Sequence, residues 1–324
     1  MAELYASVDL GGTNVKCALA GADGEIVAEK KTPTGSHDGP EGVLERVAAA
    51  VRELAEQADA EPAALGMGVP GLIDLERGVT KFVPNLPTQW RDVPVRDLLS
   101  PKLGCDVYLL NDVRTATLGE LTFGHGRGRS GLTMIFLALG TGVGGGVVVD
   151  GKLRLGASGS AGELGHQTIL PDGAPCGCGN RGCLETLASG PAIAGEGVRL
   201  LRSGLAPKLH DIVGGDPGKV DPKTMQRAIE AGDERVREAV VRAAEYLGIG
   251  VANMVVALEP EIIVIGGGVA KFGDVLFDAV RETLRRRVGM LPTDEIEVLP
   301  SALGDKAGAM GGIALAMKGG KVGA

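Results

Sequence analysis

Aromatic residues are scarce in this sequence: Phe, Tyr and Trp make up 3% of its 324 residues, and there is one Trp. No uninterrupted apolar run approaches the roughly 20 residues that a membrane-spanning helix needs. The N-terminus has no basic segment followed by an apolar one, so no secretory signal is expected. The formal charge is −8, and the only notable basic cluster is the short run Arg285–Arg287. We therefore expect a cytoplasmic protein with no membrane or nucleic-acid partner.

Glycine is abundant instead, at 53 residues, and it lies in short clusters between apolar segments. That distribution is typical of backbone-lined ligand loops rather than of disorder. Two of the five cysteines, Cys17 and Cys105, lie in apolar surroundings and are predicted to be buried free thiols. The other three lie close together in one segment. This pattern favours a reducing compartment over a disulfide framework.

The segment from Gly162 to Glu185 holds a candidate metal site. His166, Cys176, Cys178 and Cys183 lie close together there, with the cysteines spaced C-x-C-x4-C. Structural zinc takes four such ligands in a tetrahedron, which leaves no open position for chemistry. The alternative is three unrelated thiols and a stray histidine, and C-x-C is less common than C-x2-C. We predict a structural Zn²⁺ site in a pinned loop that presents polar groups such as the flanking glutamates.

The order of predicted elements indicates an α/β protein with an internal duplication. Strands are predicted at 4–10, 14–20, 25–31, 65–69, 107–110, 132–139, 146–149, 261–265 and 295–299. Helices are predicted at 40–58, 93–99, 112–123, 234–258, 274–288 and 305–317. A strand, a glycine turn and a second strand open each half, at residues 9–13 and again at 139–146. Such a repeat predicts two similar domains that flank a cleft, a preferred place for small ligands.

The glycine loops allow several interpretations. Residues 140–145 satisfy G-x-G-x-x-G, but a strand follows them where a dinucleotide site requires a helix. Residues 146–152 resemble a P-loop, but Leu153 replaces the Ser or Thr that binds Mg²⁺ there. Glycine turns between antiparallel strands remain, and their exposed amides form anion-binding concavities to which Thr13 and Thr141 add hydroxyl donors. We predict that they bind phosphate; hairpin turns with no ligand are the alternative.

Asn111 and Asp112 lie where an apolar strand ends and a helix begins. An Asp in that position can simply be the helix N-cap. The same position is where α/β sheets place their ligand crevice. In phosphoryl transfer to an alcohol, a carboxylate accepts the hydroxyl proton. We predict that role for Asp112, with Asn111 orienting a sugar hydroxyl, and Asn85, Glu163, His166 and Glu185 supplying further donors and acceptors.

Taken together, these motifs resemble the ROK family (repressor, open reading frame, kinase), and within it the bacterial glucokinases. The segments that carry the resemblance are Asp9-Leu-Gly-Gly-Thr13, Leu139–Gly146, Glu163-Leu-Gly-His166 and the C-x-C-G-x-x-G-C-x-E run from Cys176 to Glu185. The resemblance extends over nearly the whole chain, as far as Gly308. It implies ATP-dependent phosphorylation of a hexose, glucose first, at the 6-hydroxyl.

The resemblance also implies the duplicated actin-like ATPase (ribonuclease H-like) fold. Residues 1–113 plus 303–324 would form a small α/β domain, and residues 114–302 a large one that carries the zinc loop. ATP and Mg²⁺ would be the cofactors, and the protein would be a homodimer or homotetramer. One departure is Lys306, which stands where an acidic residue is common in the family.

Roles for individual residues follow from the same resemblance. Asp112 would be the general base, and His166 would direct one ring nitrogen to the metal and the other to the sugar. The sugar would be bound by Asn85, Asn111, Asp112, Glu163, His166 and Glu185. ATP and Mg²⁺ would be bound by Asp9, Gly11, Gly12, Thr13, Gly140, Thr141, Gly142, Gly144, Gly266, Gly267 and Gly268. The metal ligands would be His166, Cys176, Cys178 and Cys183.

Three alternatives stay open at this point. The acceptor could be mannose, fructose, N-acetylglucosamine or N-acetylmannosamine, because specificity depends on pocket shape. The donor could be polyphosphate, although the glycine cluster at 266–268 favours a nucleotide. A sugar-sensing regulator is less favoured, because the eight residues before Asp9 cannot hold a helix-turn-helix.

Overall fold

The computed structural model describes residues 3–83, 86–88 and 90–323. Asn85, a predicted sugar ligand, lies outside them. The chain divides into two compact units. The first comprises residues 1–132, 146–162 and 301–324, and the second comprises residues 133–145 and 163–300. The domain boundaries expected at 113/114 and 302/303 remain a prediction.

Twelve strands are assigned within the described residues. They are β1 Leu4–Leu10, β2 Asn14–Gly21, β3 Ile26–Pro33, β4 Ala64–Val69, β5 Leu72–Asp74, β6 Val79–Phe82, β7 Asp106–Asn111, β8 Met134–Leu139, β9 Val143–Val149, β10 Lys152–Leu153, β11 Ile262–Gly266 and β12 Glu297–Pro300. Two five-stranded sheets have the orders β3-β2-β1-β4-β7 and β10-β9-β8-β11-β12, and β5 pairs with β6.

Ten α-helices are assigned in the same residues. They are α1 Gly39–Ala58, α2 Val95–Leu103, α3 Asp112–Phe123, α4 Glu185–Ala188, α5 Gly190–Arg202, α6 Pro207–Val213, α7 Pro222–Glu230, α8 Glu234–Leu258, α9 Asp274–Arg287 and α10 Ala307–Met317. Short 3-10 helices lie between some of them.

The first unit is built on the sheet that contains β1. Strands β1, β4 and β7 are parallel to one another. Strand β2 pairs antiparallel with β1 on one side and with edge strand β3 on the other. Central β4 reads ALGMGV and is buried throughout, as expected for a parallel strand covered on both faces. Edge strand β3 instead alternates half-buried and exposed residues. Helix α10 consists mostly of small apolar residues and packs on β1, β4 and α3, so the C-terminal segment completes this unit.

The second unit is centred on the fully buried strand β11, which runs parallel to β8 and β12. Helices α4 to α9 cover it, and α8 contributes the largest share of buried helical residues. By length and composition α8 alone, among the described residues, passes as a membrane span, but 61% of its apolar window is buried inside the protein. That degree of burial is typical of a core helix.

Two sequence predictions require correction. The helix expected at 93–99 continues past Pro101 to Leu103, because Leu99 and Leu103 are both buried, and it ends at Gly104 in the left-handed conformation. The expected glycine loop 140–145 is shorter than predicted, since β9 already begins at Val143. Gly144 therefore lies in a strand, and the turn is confined to residues 140–142.

Candidate functional site

The predicted metal ligands lie together in the second unit. One ligand atom from each of His166, Cys176, Cys178 and Cys183 falls within 4.8 Å of all the others. The Sγ of Cys176 is 3.6 Å from Nδ1 of His166, and the Sγ atoms of Cys178 and Cys183 are 3.7 Å apart. The loop folds this way because backbone hydrogen bonds link Cys176 to Asn180 and Leu184 to Gln167.

These distances fit a tetrahedral metal centre. With Zn–S bonds of about 2.3 Å and Zn–N bonds of about 2.0 Å, tetrahedral edges measure about 3.8 Å between sulfurs and about 3.5 Å between sulfur and nitrogen. The observed 3.7 and 3.6 Å match those edges. Three thiolates and one imidazole are also a donor set that zinc prefers. The residues therefore fit the structural zinc that the spacing predicted.

The thiols of the cluster differ in their readiness to lose a proton. A backbone hydrogen bond at Asn180 lowers the pKa of Cys178, which is exposed. Burial raises the pKa of Cys183 to about 12. Since the thiolate is the form that binds a metal, metal binding must drive a proton from Cys183. Metal affinity at this site is therefore expected to fall at acid pH.

The Glu163–His166 motif contributes one residue, His166, to this cluster and places Glu163 beside it. Leu164–His166 is a short 3-10 helix, and the amide of His166 donates to the carbonyl of Glu163 at 3.1 Å. With Nδ1 of His166 facing Cys176, its Nε2 lies 4.0 Å from a carboxylate oxygen of Glu163. Position 165 must be glycine, because a Cβ there would overlap the carbonyl oxygen of Val143. The motif therefore places Glu163 and Nε2 side by side, away from the thiols.

Glu185 links the metal loop to the second glycine turn. Its Oε2 accepts a hydrogen bond from the amide of Val143 at 3.0 Å, and its Oε1 lies 4.0 Å from the Sγ of Cys176. The turn is closed by the amide of Gly140, which donates to the carbonyl of Gly142 at 2.9 Å. One carboxylate thus lies next to both the predicted phosphate turn and the cysteine cluster.

In the first unit, the structure distinguishes the roles of Asn111 and Asp112. Asn111 is the N-cap of α3, and its Oδ1 accepts from the amides of Val113 and Arg114 at 3.1 and 3.3 Å. Its Nδ2 donates to the carbonyl of Gly71 at 3.4 Å. Asp112 is the first helical residue, so the interpretation of Asp112 as the N-cap is wrong. The half-buried carboxylate of Asp112 also accepts from the amide of Val113 at 2.9 Å.

Asp9 lies near the end of β1, just before the first glycine turn. Burial raises the pKa of its carboxyl group, and the ammonium group of Lys16, 3.9 Å away, partly offsets that effect. The carboxylate lies next to Gly308 at the start of α10. A partly desolvated carboxylate beside a predicted phosphate turn is a group to which a divalent cation would bind favourably.

Sequence reasoning missed Thr34, which holds the first glycine turn in place. Its fully buried hydroxyl donates to the carbonyl of Gly11 at 2.7 Å, and its amide donates to the carbonyl of Thr13 at 2.9 Å. Arg46 in turn donates to the carbonyl of Thr34 at 2.7 Å. No local pattern marks Thr34, because the turn that it holds lies more than 20 residues earlier in the chain.

A cavity of about 690 Å³ lies in the second unit beside the second glycine turn. Gly140 and Thr141 form one part of its wall, and Gly268, Val269 and Phe272 form another. Helix α7 and the residue before it add polar groups that the sequence analysis did not identify: Asp221, Lys223 and Gln226. A cavity of this size with mixed apolar and polar walls has room for a nucleoside.

The predicted residues are thus distributed over both units. The first unit holds Asp9, Gly11, Gly12, Thr13, Asn111 and Asp112. The second unit holds Gly140, Thr141, Gly142, Gly144, Glu163, His166, the three cysteines, Glu185 and Gly266–Gly268. Within the second unit, the metal cluster, Glu163, Glu185 and the 140–142 turn are connected by direct contacts.

Comparison with known proteins bears on the whole chain. A model of the ROK family matches residues 5–319. A glucokinase of Thermotoga maritima is 38% identical over 94% of this chain and 94% of its own length. The crystal structure of a ROK family glucokinase from Streptomyces griseus in complex with glucose and AMPPNP has a TM-score of 0.84 at 31% identity, covering 97% of this chain and 99% of that one. A xylose repressor of Caldicellulosiruptor bescii is 32% identical over 95% of this chain and 76% of its own length.

These findings confirm the fold class expected from the sequence. The likeness to the Streptomyces griseus structure over nearly the whole of both chains identifies the actin-like ATPase fold, and the two sheets with their covering helices agree with it. The family model covers all four motifs that carried the resemblance. This chain belongs to the ROK family.

Proposed function

We propose that this protein is an ATP-dependent hexokinase that phosphorylates glucose at its 6-hydroxyl. The observation that carries the proposal is the 38% identity to a glucokinase over 94% of both chains. The site geometry supports it, because hydrogen bonds hold the candidate residues in place. Asn111 caps the helix that begins with Asp112, Thr34 holds the first glycine turn, and Glu185 accepts from Val143 beside the second. A cytoplasmic location is part of the proposal, since that is where a sugar meets cellular ATP.

Asp112 is the general base of the proposed reaction. Its carboxylate takes the proton of the sugar 6-hydroxyl as the oxygen attacks the γ-phosphorus of ATP and the bond to ADP breaks. Because Asn111 caps α3, Asp112 stands on the first turn of a fixed helix rather than on a loose loop. A carboxylate held in one orientation is what proton transfer in a transition state requires.

Glu163, His166 and Glu185 are the proposed sugar-binding residues of the second unit. Carboxylates accept hydrogen bonds from hydroxyls, and a site built from them discriminates strongly against a sugar in which one hydroxyl is missing or inverted. The metal cluster holds His166 through Nδ1, which leaves Nε2 for the ligand. The zinc in this proposal is therefore structural, and it fixes the orientation of a sugar ligand.

The glycine turns are the proposed sites for the phosphate groups. Backbone amides at residues 11–13 and 140–142 would stabilise charge that develops on the phosphoryl oxygens. Mg²⁺, when bound, would neutralise part of that charge, and Asp9 is the residue proposed to hold it. The 690 Å³ cavity beside Thr141 supports a nucleotide as the donor, because polyphosphate has no base or ribose to fill it.

A coupled assay against a panel of sugars and donors tests this proposal. Glucose, mannose, fructose, N-acetylglucosamine and N-acetylmannosamine are each tried with ATP and with polyphosphate, and the Asp112→Asn variant serves as the inactive control. Turnover of glucose with ATP at a higher kcat/KM than any other pair is the expected result. A higher kcat/KM for any other sugar of the panel contradicts the glucose assignment, and a higher kcat/KM for polyphosphate contradicts the ATP assignment.

A second candidate is a sugar-responsive regulator, which the 32% identity to a xylose repressor favours. A regulator needs to bind its sugar but not to turn it over. Tight binding of xylose by calorimetry with no phosphorylation of any sugar in the panel would support this candidate over the kinase.

A further inference from the structure

Arg114 is a buried guanidinium two residues after the proposed base. Its side chain is 2% exposed, although arginine rarely leaves the surface. Nε donates to the carbonyl of Ala161 at 2.6 Å, and Nη2 donates to the carbonyl of Ser160 at 2.7 Å. Burying a charge is costly unless hydrogen bonds compensate it, so the guanidinium and these two carbonyls fix each other's positions.

On one side of this contact stands the first turn of α3. The amide of Arg114 donates to Oδ1 of Asn111 at 3.3 Å, and the hydroxyl of Thr115 donates to the carbonyl of Asn111 at 2.8 Å. Asp112 belongs to the same turn. The guanidinium is therefore attached to the same rigid turn as the proposed base.

On the other side stands the end of a glycine-rich loop, residues 155–162. The amide of Ala161 donates to the carbonyl of Leu155 at 2.9 Å, which closes the loop on itself. Gly162 follows with φ of 97°, and Glu163 comes next. One residue thus separates the anchored carbonyl from Glu163. Since consecutive Cα atoms are about 3.8 Å apart, a shift of Ala161 passes directly to the backbone of Glu163.

We propose that Arg114 is a positioning residue that fixes the segment before the sugar-binding Glu163 to the helix that begins with Asp112. The inference rests on the proposed function, and it assigns Arg114 no contact with either substrate. Arginine suits the task because its planar fork donates two parallel hydrogen bonds to successive carbonyls, whereas the ammonium group of lysine is a single point. Arg114 thus controls the use of sugar but not the use of ATP.

The test is the pair Arg114→Lys and Arg114→Met, assayed with saturating ATP and varied glucose, then with saturating glucose and varied ATP. We expect the KM for glucose to rise by about tenfold or more, because a displaced Glu163 loses its proposed hydrogen bonds to the sugar, which contribute to substrate binding. The KM for ATP should stay within about twofold. A purely structural role would lower Tm and the active fraction without this split, so equal changes in both KM values would overturn the inference.

Arg281→Lys is the matched control. Arg281 of α9 also donates through Nη2 to a backbone carbonyl, that of Val298 in β12, at 2.8 Å, but this contact lies in the second unit. Its replacement should change neither KM. Hydrogen exchange of the full-length protein supplies a readout independent of activity. Peptides covering residues 155–163 should exchange faster in Arg114→Lys than in the wild type or in Arg281→Lys, and unchanged exchange there would contradict the proposal.

Gly162→Ala keeps the inference testable if the Arg114 variants do not fold. Alanine is strained at φ of 97°, so it displaces the end of the loop in a protein that still contains Arg114. The same selective rise in the KM for glucose is expected, and an unchanged KM would refute the claim that this segment positions Glu163. The wild type in the same assay separates the two hypotheses: if it phosphorylates no sugar, the proposed function fails. If it does and the variants keep its KM values, the inference about Arg114 alone fails.

Discussion

The carboxylate of Glu185 accepts a hydrogen bond from the backbone amide of Val143 at 3.0 Å, and this contact joins the metal loop to the second glycine turn. Its other oxygen lies 4.0 Å from the Sγ of Cys176. Glu185 was predicted only as a sugar ligand. The contact indicates that it also sets the shape of the turn proposed to hold phosphate, so the proposed sugar and phosphate sites share one anchoring residue.

Glu185→Gln should therefore affect the use of both substrates. Glutamine keeps the shape but weakens a hydrogen bond to a charged acceptor, worth about 1.5 kcal/mol or more, which corresponds to about tenfold in kcat/KM. Steady-state kinetics should show that loss with glucose and with ATP as the varied substrate. Glu196→Gln, at a half-buried position of α5, is the control, and a loss confined to glucose would contradict the role in the turn.

Asp112→Asn should lower kcat by about 10²–10⁴-fold, the usual contribution of a general base. Asparagine is nearly isosteric and also tolerated at the start of a helix, so Tm and the affinity for glucose should change little. A coupled assay of glucose phosphorylation measures kcat, and calorimetry measures the affinity for glucose. Asp97→Asn, an exposed acid in the first turn of α2, is the matched control. Near-wild-type turnover in Asp112→Asn would refute the assignment of the base.

The secondary structure was predictable because the sheet strands are strongly apolar and the long helices have clear periodicity. The predicted strands at 4–10, 14–20 and 65–69 and the helix at 234–258 match the structure within one or two residues. The four metal ligands were recognisable because they lie within 18 residues of sequence. The short strands β5 and β6 gave no signal, since three to four residues are too few to show an alternation.

The supports of the site could not be predicted, because each depends on contacts between distant segments. Buried Glu120 accepts from the hydroxyl of Ser301 and, at 3.0 Å, from the amide of Leu303. Those partners are more than 180 residues away, and nothing near Glu120 in the sequence indicates them. The same holds for Thr34 at the first glycine turn and for Arg114 beside Ala161. Periodicity identifies the elements, but only the packed fold shows which loops they hold.

Removal of the predicted zinc should lower the thermal stability of the second unit, because the proposed role of the metal is structural. Cys183→Ser, or dialysis against a chelator, should lower the bound zinc from one equivalent per chain to near zero, because all four ligands come from one loop. We expect Tm to fall by about 5–10 °C, since 1 kcal/mol shifts Tm by about 2–4 °C in a domain of the second unit's size and the loss of a structural metal costs more than 1 kcal/mol. Elemental analysis and thermal unfolding measure these changes. Cys105→Ser should keep its zinc, and the same zinc content in both variants would contradict the ligand set.

Ala194→Leu should raise the KM for ATP by about tenfold and leave the KM for glucose unchanged. Ala194 of α5 lines the 690 Å³ cavity together with residues of α7, and a larger side chain there would take space from the proposed nucleoside. Ala192→Leu adds the same volume two residues earlier, outside the cavity lining, and serves as the control. If the Ala194 variant binds ATP normally, as measured by fluorescence titration of a labelled nucleotide, the nucleoside does not occupy this cavity.

Stability should respond to pH through Asp9. Burial raises the pKa of this carboxyl group in the folded state above the ordinary value of 3.8, so the folded protein binds the proton more tightly than the unfolded chain does. The stabilising contribution is therefore fully present below pH 3.8 and is lost as pH rises through the raised pKa, which leaves a buried charge that costs stability at pH 7. Asp9→Asn removes that charge and should raise Tm at pH 7.5, while the difference from the wild type should vanish near pH 3.5. Asp92→Asn, at an exposed site, should raise Tm at neither pH. A lower Tm for Asp9→Asn at pH 7.5 would mean that Lys16 compensates the buried carboxylate more than its desolvation costs.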